Sequence, residues 1–347
     1  MKDKKKYLLI GHFDENIGDG QVVRSNMIKN QLKQNLKAKK LKIINFKKWK
    51  RRPISFIIML LFSILTSNKI ITICSTNGLI KLSRILTKFK KKYIYHIVIG
   101  GSLPFYLENN TKLVNRLKKY NGLFVQTQQI KSKMEDLGLN NVYILSNFKT
   151  VCEINLENYI KLDPSVSRIK FCTFSRITKS KGITDAINAV DLYNKEYNEE
   201  IILDIYGNVE DSYKEEFEEL LKTPNVNYKG LVHYNSTPKV LKDYYALLFP
   251  TYFEGEGFAG TILDALYAGI PVIASDWNFN TEIIKDMENG LIVNINDPLE
   301  IKEAIRTLVE RPNLRNEMGM NNLIKSKKYH PENVLKEFYD VLFNEKS

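Results

Sequence analysis

Four side chains in the second half of the chain have the types and the spacing of a site. Glu256 and Asp264 stand eight positions apart in EGFAGTILDALYAGIPVIASD, the first in an acidic, glycine-rich turn and the second in a helical segment. Both can point into one cleft at the helix N-terminus. That helix opens on Gly260 and Thr261, so free backbone N–H groups and the positive end of its dipole face the turn. Such an end favours an anionic ligand, by about 0.3–2 kcal/mol. Arg176 and Lys181 stand five apart in SRITKSKG, just past an apolar run. A guanidinium and an ammonium so placed can clamp a diphosphate; the plainer alternative is a solvated basic loop.

The elements that must position these groups are strands and helices in alternation. Ala246–Phe249 reads as a buried strand. Ile262, Leu263, Leu266 and Tyr267 have helical spacing, Gly269-Ile270-Pro271 stops the helix, and Val272–Ala274 is the next strand. Ile169–Phe174, Ile201–Tyr206, Val226–Tyr228 and Leu291–Val293 supply further strands, and helices are expected at 299–310, 314–325 and 332–343. The first half repeats the pattern. Strands are expected at Tyr7–Ile10, Leu41–Phe46, Ile70–Cys74, Tyr93–Ile99, Leu123–Val125 and Val142–Leu145, with an amphipathic helix at Val22–Leu36. This is α/β architecture with doubly wound parallel sheets. Ligands in such sheets sit past the carboxyl ends of the strands, so loops at Gly18–Gly20, Asn77-Gly78 and Gly100–Ser102 should share one crevice. Gly18 and Gly20 can bring backbone N–H groups to a phosphate, or can form a plain turn.

The stretch from Glu256 to Asp276 resembles the E-x7-E signature of the retaining glycosyltransferases of family 4, with Asp264 where that family usually has Glu. Ser175–Gly182 is similar to the family's G-R-x-x-x-x-K-G element, with Ser175 at the first glycine. The resemblance implies the GT-B fold, two Rossmann-like domains facing a central cleft. It implies an acceptor-binding domain at 1–155, a nucleotide-sugar-binding domain at 165–328 and a last helix, 329–347, returning to the first domain. It assigns catalytic roles to Arg176, Lys181 and Glu256, with Glu256 on donor-sugar hydroxyls. Asp264 would hold the ribose, and the backbone of Gly257, Phe258, Ala259, Gly260 and Thr261 the phosphates. Gly18, Gly20, Gly207 and Val232 complete the expected donor contacts. No D-x-D motif occurs, so no metal or other cofactor is expected: Arg176, Lys181 and the helix end would neutralise the leaving diphosphate.

The chain has 347 residues, room for two domains, and a formal net charge of +13. That charge is uneven. Residues 1–150 hold 30 Lys and Arg against 7 Asp and Glu, whereas residues 151–347 hold 22 against 32. The positive half favours an anionic surface. KKWKRR at 47–52 precedes PISFIIMLLFSILTSN, an apolar run shorter than the roughly 20 residues of a membrane span. It reads either as a buried helix or as an interfacial helix on anionic headgroups, with KFKKK at 88–92 adding to the patch. Cys74, Cys152 and Cys172 have no paired or metal-like spacing, and MKDKKK before YLLIGH is no secretory leader. His96 reads as a core or edge histidine, and His12 lies nearer the crevice.

The expectation is a cytoplasmic transferase, peripheral on the inner membrane face. It would use a nucleotide-sugar donor, UDP-linked in the first instance, and a lipid-linked glycan acceptor of a surface polysaccharide. Competing readings are a non-catalytic partner subunit and a sugar phosphorylase or epimerase of the same fold. Charge alone suggests nucleic acid, and no nucleic-acid-binding motif supports it.

Overall fold

The computed structural model describes residues 6–14, 20–36, 40–46, 53–150, 169–197 and 200–343. Gly18, Cys152, the 47–52 basic cluster and the segment from 151 to 168 lie outside these residues. The chain divides into two compact units. Unit 1 is Met1–Asn147 with Val334–Ser347, and unit 2 is Phe148–Asn333.

Unit 1 contains strands β1 (Tyr7–Gly11), β2 (Leu41–Asn45), β3 (Lys69–Cys74), β4 (Tyr93–Val98), β5 (Gly122–Val125) and β6 (Val142–Ile144). They form one parallel sheet in the order β2-β1-β3-β4-β5-β6, which reverses between β1 and β3. Its helices are α1 (Gly20–Asn35), α2 (Pro53–Thr66), α3 (Thr76–Leu86), α4 (Leu103–Glu108), α5 (Thr111–Leu117) and α6 (Gln128–Asp136). Strands covered on both faces need continuous apolar runs, and IITIC and YIYHIV are such runs. His96 belongs to that core. It is buried on β4 against the Thr72 hydroxyl at 2.8 Å, and burial pushes its pKa down to about 3, so the ring is neutral. His12 is exposed just past β1.

The apolar segment after the basic cluster forms α2, and each of its two sides has a different fate. Phe56, Leu60 and Ile64 are buried, while Ile54, Ile57, Ile58, Leu61, Phe62 and Leu65 recur at helical spacing on an exposed face. Among the described residues no helix is long and apolar enough to cross a membrane.

Unit 2 contains β7 (Lys170–Phe174), β8 (Ile202–Tyr206), β9 (Val226–Gly230), β10 (Ala246–Phe249), β11 (Val272–Ser275) and β12 (Gly290–Val293). Its sheet reads β9-β8-β7-β10-β11-β12, all parallel, with the order reversing between β7 and β10. Its helices are α7 (Ile183–Tyr197), α8 (Lys214–Leu220), α9 (Thr237–Leu241), α10 (Gly260–Ala268), α11 (Asn280–Ile283), α12 (Pro298–Glu310) and α13 (Pro312–Ser326). One continuous core runs from Phe171, Ile187, Val190 and Phe217 to Leu248, Ile305 and Leu308. Arg315 is buried within this unit with its acceptors in place: Nε donates to the Tyr245 carbonyl at 2.9 Å and Nη2 to that of Tyr244 at 3.2 Å.

The last helix, α14 (Pro331–Phe343), belongs to unit 1 from Val334 onward. Phe338 meets Phe124 edge-on at 4.8 Å. Lys69 Nζ donates to the Leu342 carbonyl at 2.6 Å, and Asn35 Nδ2 to the Tyr339 hydroxyl at 2.8 Å.

Candidate active site

The reversal of strand order between β7 and β10 opens a crevice at their carboxyl ends. The loops leaving these two strands are stitched together. Tyr252 N–H donates to the Ser180 carbonyl at 2.9 Å, and the Thr261 hydroxyl at the head of α10 donates to the Phe174 carbonyl at 2.8 Å. Two glycines permit the close approach. Gly182 has φ +68°, and a Cβ there would lie 2.1 Å from the Pro250 carbonyl oxygen. Gly207 has φ +149°, and its Cβ would lie 1.7 Å from that of Ser175. Any side chain at either position would force the loops apart.

A short turn at Lys179–Lys181 then aims the lysine inward. Lys181 Nζ donates to Glu256 Oε2, and both side chains are about nine-tenths buried. The Thr251 hydroxyl lies 3.2 Å from the same oxygen, which leaves Glu256 Oε1 as an acceptor without a hydrogen bond in the described structure. The Phe253 ring carries two cations, with Lys181 Nζ 4.7 Å and the Arg176 guanidinium carbon 5.5 Å from its centroid. Arg176 is half-exposed, and its nearest carboxylate oxygen, on Glu210, is 4.0 Å away. It can therefore leave that partner at little cost. The loop is braced from β11's end: Trp277 Nε1 donates to the Phe253 carbonyl at 2.9 Å, and Asn278 Nδ2 to the Glu254 carbonyl at 3.1 Å.

Arg176, Lys181 and Glu256 thus meet around one ring. Ala259 caps α10, leaving the first N–H groups of Gly260, Thr261 and Ile262 at its open end. Gly257 and Phe258 precede that cap, and Phe258 is buried with its ring against Tyr329 at 4.9 Å. Gly207 follows β8, and Val232 lies half-buried in the loop after β9. Gly20 opens α1 in unit 1.

Asp264 belongs to a second, separate pair. It is buried on α10 and accepts from Lys149 Nζ, which also donates to the Tyr234 carbonyl at 2.6 Å. Burial pushes the Asp264 carboxyl up to about 6, and Lys149 opposes that rise. Lys149, Thr251, Phe253, Trp277 and Asn278 escaped the sequence reading. Only the Asn278 backbone, at φ 48°, marks any of them as unusual, and no motif does. Cys74 and Cys172 are buried and inert, the Cys74 thiol pushed up to about 12 by burial.

A strand-order reversal, a cationic pair and a helix N-terminus together make a crevice suited to an anionic ligand. Residues 158–323, just under half of the chain, match the family model described as glycosyl transferases group 1, and the two parallel six-stranded sheets have the GT-B fold. An uncharacterized glycosyltransferase of Methanocaldococcus jannaschii is 26% identical over 263 residues, covering 69% of this chain and 65% of the relative. The capsular polysaccharide biosynthesis glycosyltransferase CapM of Staphylococcus aureus is 25% identical over 49% of this chain and 44% of its own length. The chain thus spans less than two thirds of these curated relatives. Two solved structures match almost end to end. Anabaena HepE with UDP-glucose has TM-score 0.72 and 14% identity over 97% of this chain and 99% of its own. The lipopolysaccharide outer core galactosyltransferase WaaB has TM-score 0.71 and 15% identity over the same shares.

Proposed function

We propose that this chain moves a glycosyl group from a nucleotide diphosphate sugar, UDP-linked, to a saccharide acceptor on a lipid carrier. The observation that carries this reading is the meeting of Lys181, Glu256 and Arg176 around Phe253, beside the α10 N-terminus. The transfer must neutralise a leaving diphosphate as the anomeric C–O bond breaks. Arg176, Lys181 and the N–H groups at Gly260 and Thr261 supply that charge without a metal. Glu256, with one oxygen held by Lys181 and the other open, holds a donor-sugar hydroxyl. The acceptor oxygen attacks the same face of the sugar, and its proton passes to the departing phosphate, so configuration is retained. Unit 2 is the donor unit and unit 1 the acceptor unit. Gly207 and Val232 border the base. The UDP and UDP-glucose carried by HepE structures support the choice of nucleotide.

The lipid part rests on α2. Its exposed face of Ile54, Ile58, Phe62 and Leu65 adjoins a sequence rich in Lys and Arg, and Lys42 Nζ lies 5.1 Å from the Phe62 ring centroid. An apolar face beside cations suits an anionic lipid surface, and we place the protein peripherally on the cytoplasmic leaflet. CapM and WaaB, whose names refer to capsular polysaccharide and lipopolysaccharide, support a surface glycan as the product.

The test is thermal stabilisation by UDP, GDP and ADP, with Arg176→Ala alongside. Nucleotide at 100 times its dissociation constant adds about 2.7 kcal/mol. A shift with UDP alone that Arg176→Ala abolishes is the expected result. A shift with GDP or ADP changes the donor, and no shift with any nucleotide overturns the donor site in favour of a non-catalytic partner.

A further inference from the structure

Thr251 stands two residues past β10 and has no exposed surface, so it meets no ligand itself, yet its hydroxyl joins three parts of the site. The oxygen accepts from the Phe253 N–H at 3.2 Å. Two acceptors lie within reach of its one proton, Glu256 Oε2 at 3.2 Å and the Ser180 carbonyl at 3.3 Å. A carboxylate is the stronger acceptor, and the Ser180 carbonyl already has the Tyr252 N–H at 2.9 Å, so the proton goes to Glu256. A buried chain holds Thr251 in turn. The Ser275 hydroxyl donates to the Thr251 carbonyl, and Asn280 Nδ2 donates to the Ser275 carbonyl at 3.1 Å. The main chain of Glu256 has ties of its own: its N–H donates to the Phe253 carbonyl at 3.0 Å, and its carbonyl accepts from Asn278 Nδ2 at 3.3 Å. What these ties leave free is the last torsion of the side chain. Such a torsion, from a tetrahedral to a planar carbon, is broad and nearly two-fold, so a carboxylate held at one point can exchange its oxygens. Lys181 alone is one such point, because a rotatable ammonium can follow either oxygen. The Thr251 hydroxyl, fixed from both sides, puts a second donor on the same oxygen. Oε2 then has both donors, and Oε1 is the oxygen left to a ligand.

We propose that Thr251 is a positioning residue: it sets which oxygen of Glu256 is open, and through Glu256 it sets how far the crevice favours a nucleotide carrying a sugar over the bare nucleotide diphosphate. The selectivity rests on the transferase reading of Glu256; the positioning of the carboxylate does not. Arg176 and Lys181 keep their place beside Phe253 without the hydroxyl, because Trp277 Nε1 still holds the Phe253 carbonyl and the Tyr252 N–H still holds Ser180. The loss of the hydroxyl is therefore felt by the sugar and not by the diphosphate.

The experiment titrates UDP and UDP-glucose calorimetrically into the full chain and its variants. Thr251→Val keeps the shape and loses the hydroxyl. It should weaken UDP-glucose by about tenfold or more and leave UDP within about threefold. Thr251→Ser should restore the affinity for UDP-glucose. In a Glu256→Ala background Thr251→Val should add nothing, because the hydroxyl acts only through that carboxylate. A threonine that merely supports the fold would weaken both ligands alike, and its loss would add to that of Glu256; either result overturns the proposal, as does full UDP-glucose affinity in Thr251→Val. If Thr251→Val does not fold, Thr251→Ala decides by the same measurements. Ligand-free crystal structures supply an arm that needs no nucleotide. The Glu256 carboxylate should be turned, or split between two positions, in Thr251→Val and single in Thr251→Ser. A single, unmoved carboxylate in Thr251→Val overturns the positioning. An unsubstituted chain that binds neither UDP nor UDP-glucose overturns the donor reading and the selectivity with it, while the crystals still decide the positioning.

Discussion

At the scale of the residue, the site depends on two buried ion pairs that do different work. Lys181 and Glu256 hold each other, and each retains unused hydrogen-bonding capacity. Lys181→Met should lower kcat by about a hundred- to a thousandfold, the usual loss when one preorganised donor is removed. It should also cost about 3 kcal/mol in urea unfolding, because Glu256 is left buried and unpaired, and Glu256→Gln should cost less. Lys149 and Asp264 give a pH signature. Asp264 binds its proton more tightly in the folded chain, near 6, than at the ordinary carboxyl value of 3.8. The stability it confers is therefore whole below pH 3.8 and is lost as pH rises to about 6. Asp264→Asn should flatten unfolding free energy across that window, measured by urea titration at several pH values. Spacing and the family resemblance singled out Arg176, Lys181, Glu256 and Asp264, and the fold gathers the first three around Phe253 while Asp264 meets Lys149 instead. That pairing was not legible, because it joins residues 115 positions apart, and only folding reveals such distances.

At the scale of the element, strands were legible almost to the residue because parallel sheets buried on both faces leave long apolar runs in the sequence. Helix α2 resisted that reading for the same reason inverted. Its residues are apolar on both sides, so the sequence carries no periodicity to say which side is covered, and both readings describe half of it. Replacing Phe62 and Leu65 by serine should release the chain from anionic vesicles in a sedimentation assay. Each exposed change should shift unfolding by no more than about 0.5 kcal/mol. Unaltered vesicle binding would mean that α2 makes no lipid contact. The loops at the carboxyl ends of β7 and β8 are more demanding. Gly207→Ala places a methyl group inside contact distance of the Ser175 carbonyl, and should cost at least about 2 kcal/mol and abolish the UDP shift.

At the scale of the molecule, charge is divided as the sheets are. The positive excess lies in residues 1–150 and a negative one in the remainder. Binding to anionic vesicles should therefore weaken steeply as salt shortens the Debye length from about 10 Å at 0.1 M to about 3 Å at 1 M. A partition coefficient indifferent to salt would leave apolar contact alone as the attraction. The position of α14 bears on how the chain is made. Its aromatic face covers Tyr7 and Phe124, strand residues that both precede unit 2, yet it comes after every residue of unit 2. A ribosome that emits the chain from its N-terminus delivers the whole of unit 2 before the piece that closes unit 1. The unit begun first is the one finished last. Through most of synthesis that sheet face must wait uncovered, and a chaperone that shields apolar strands would find its client there.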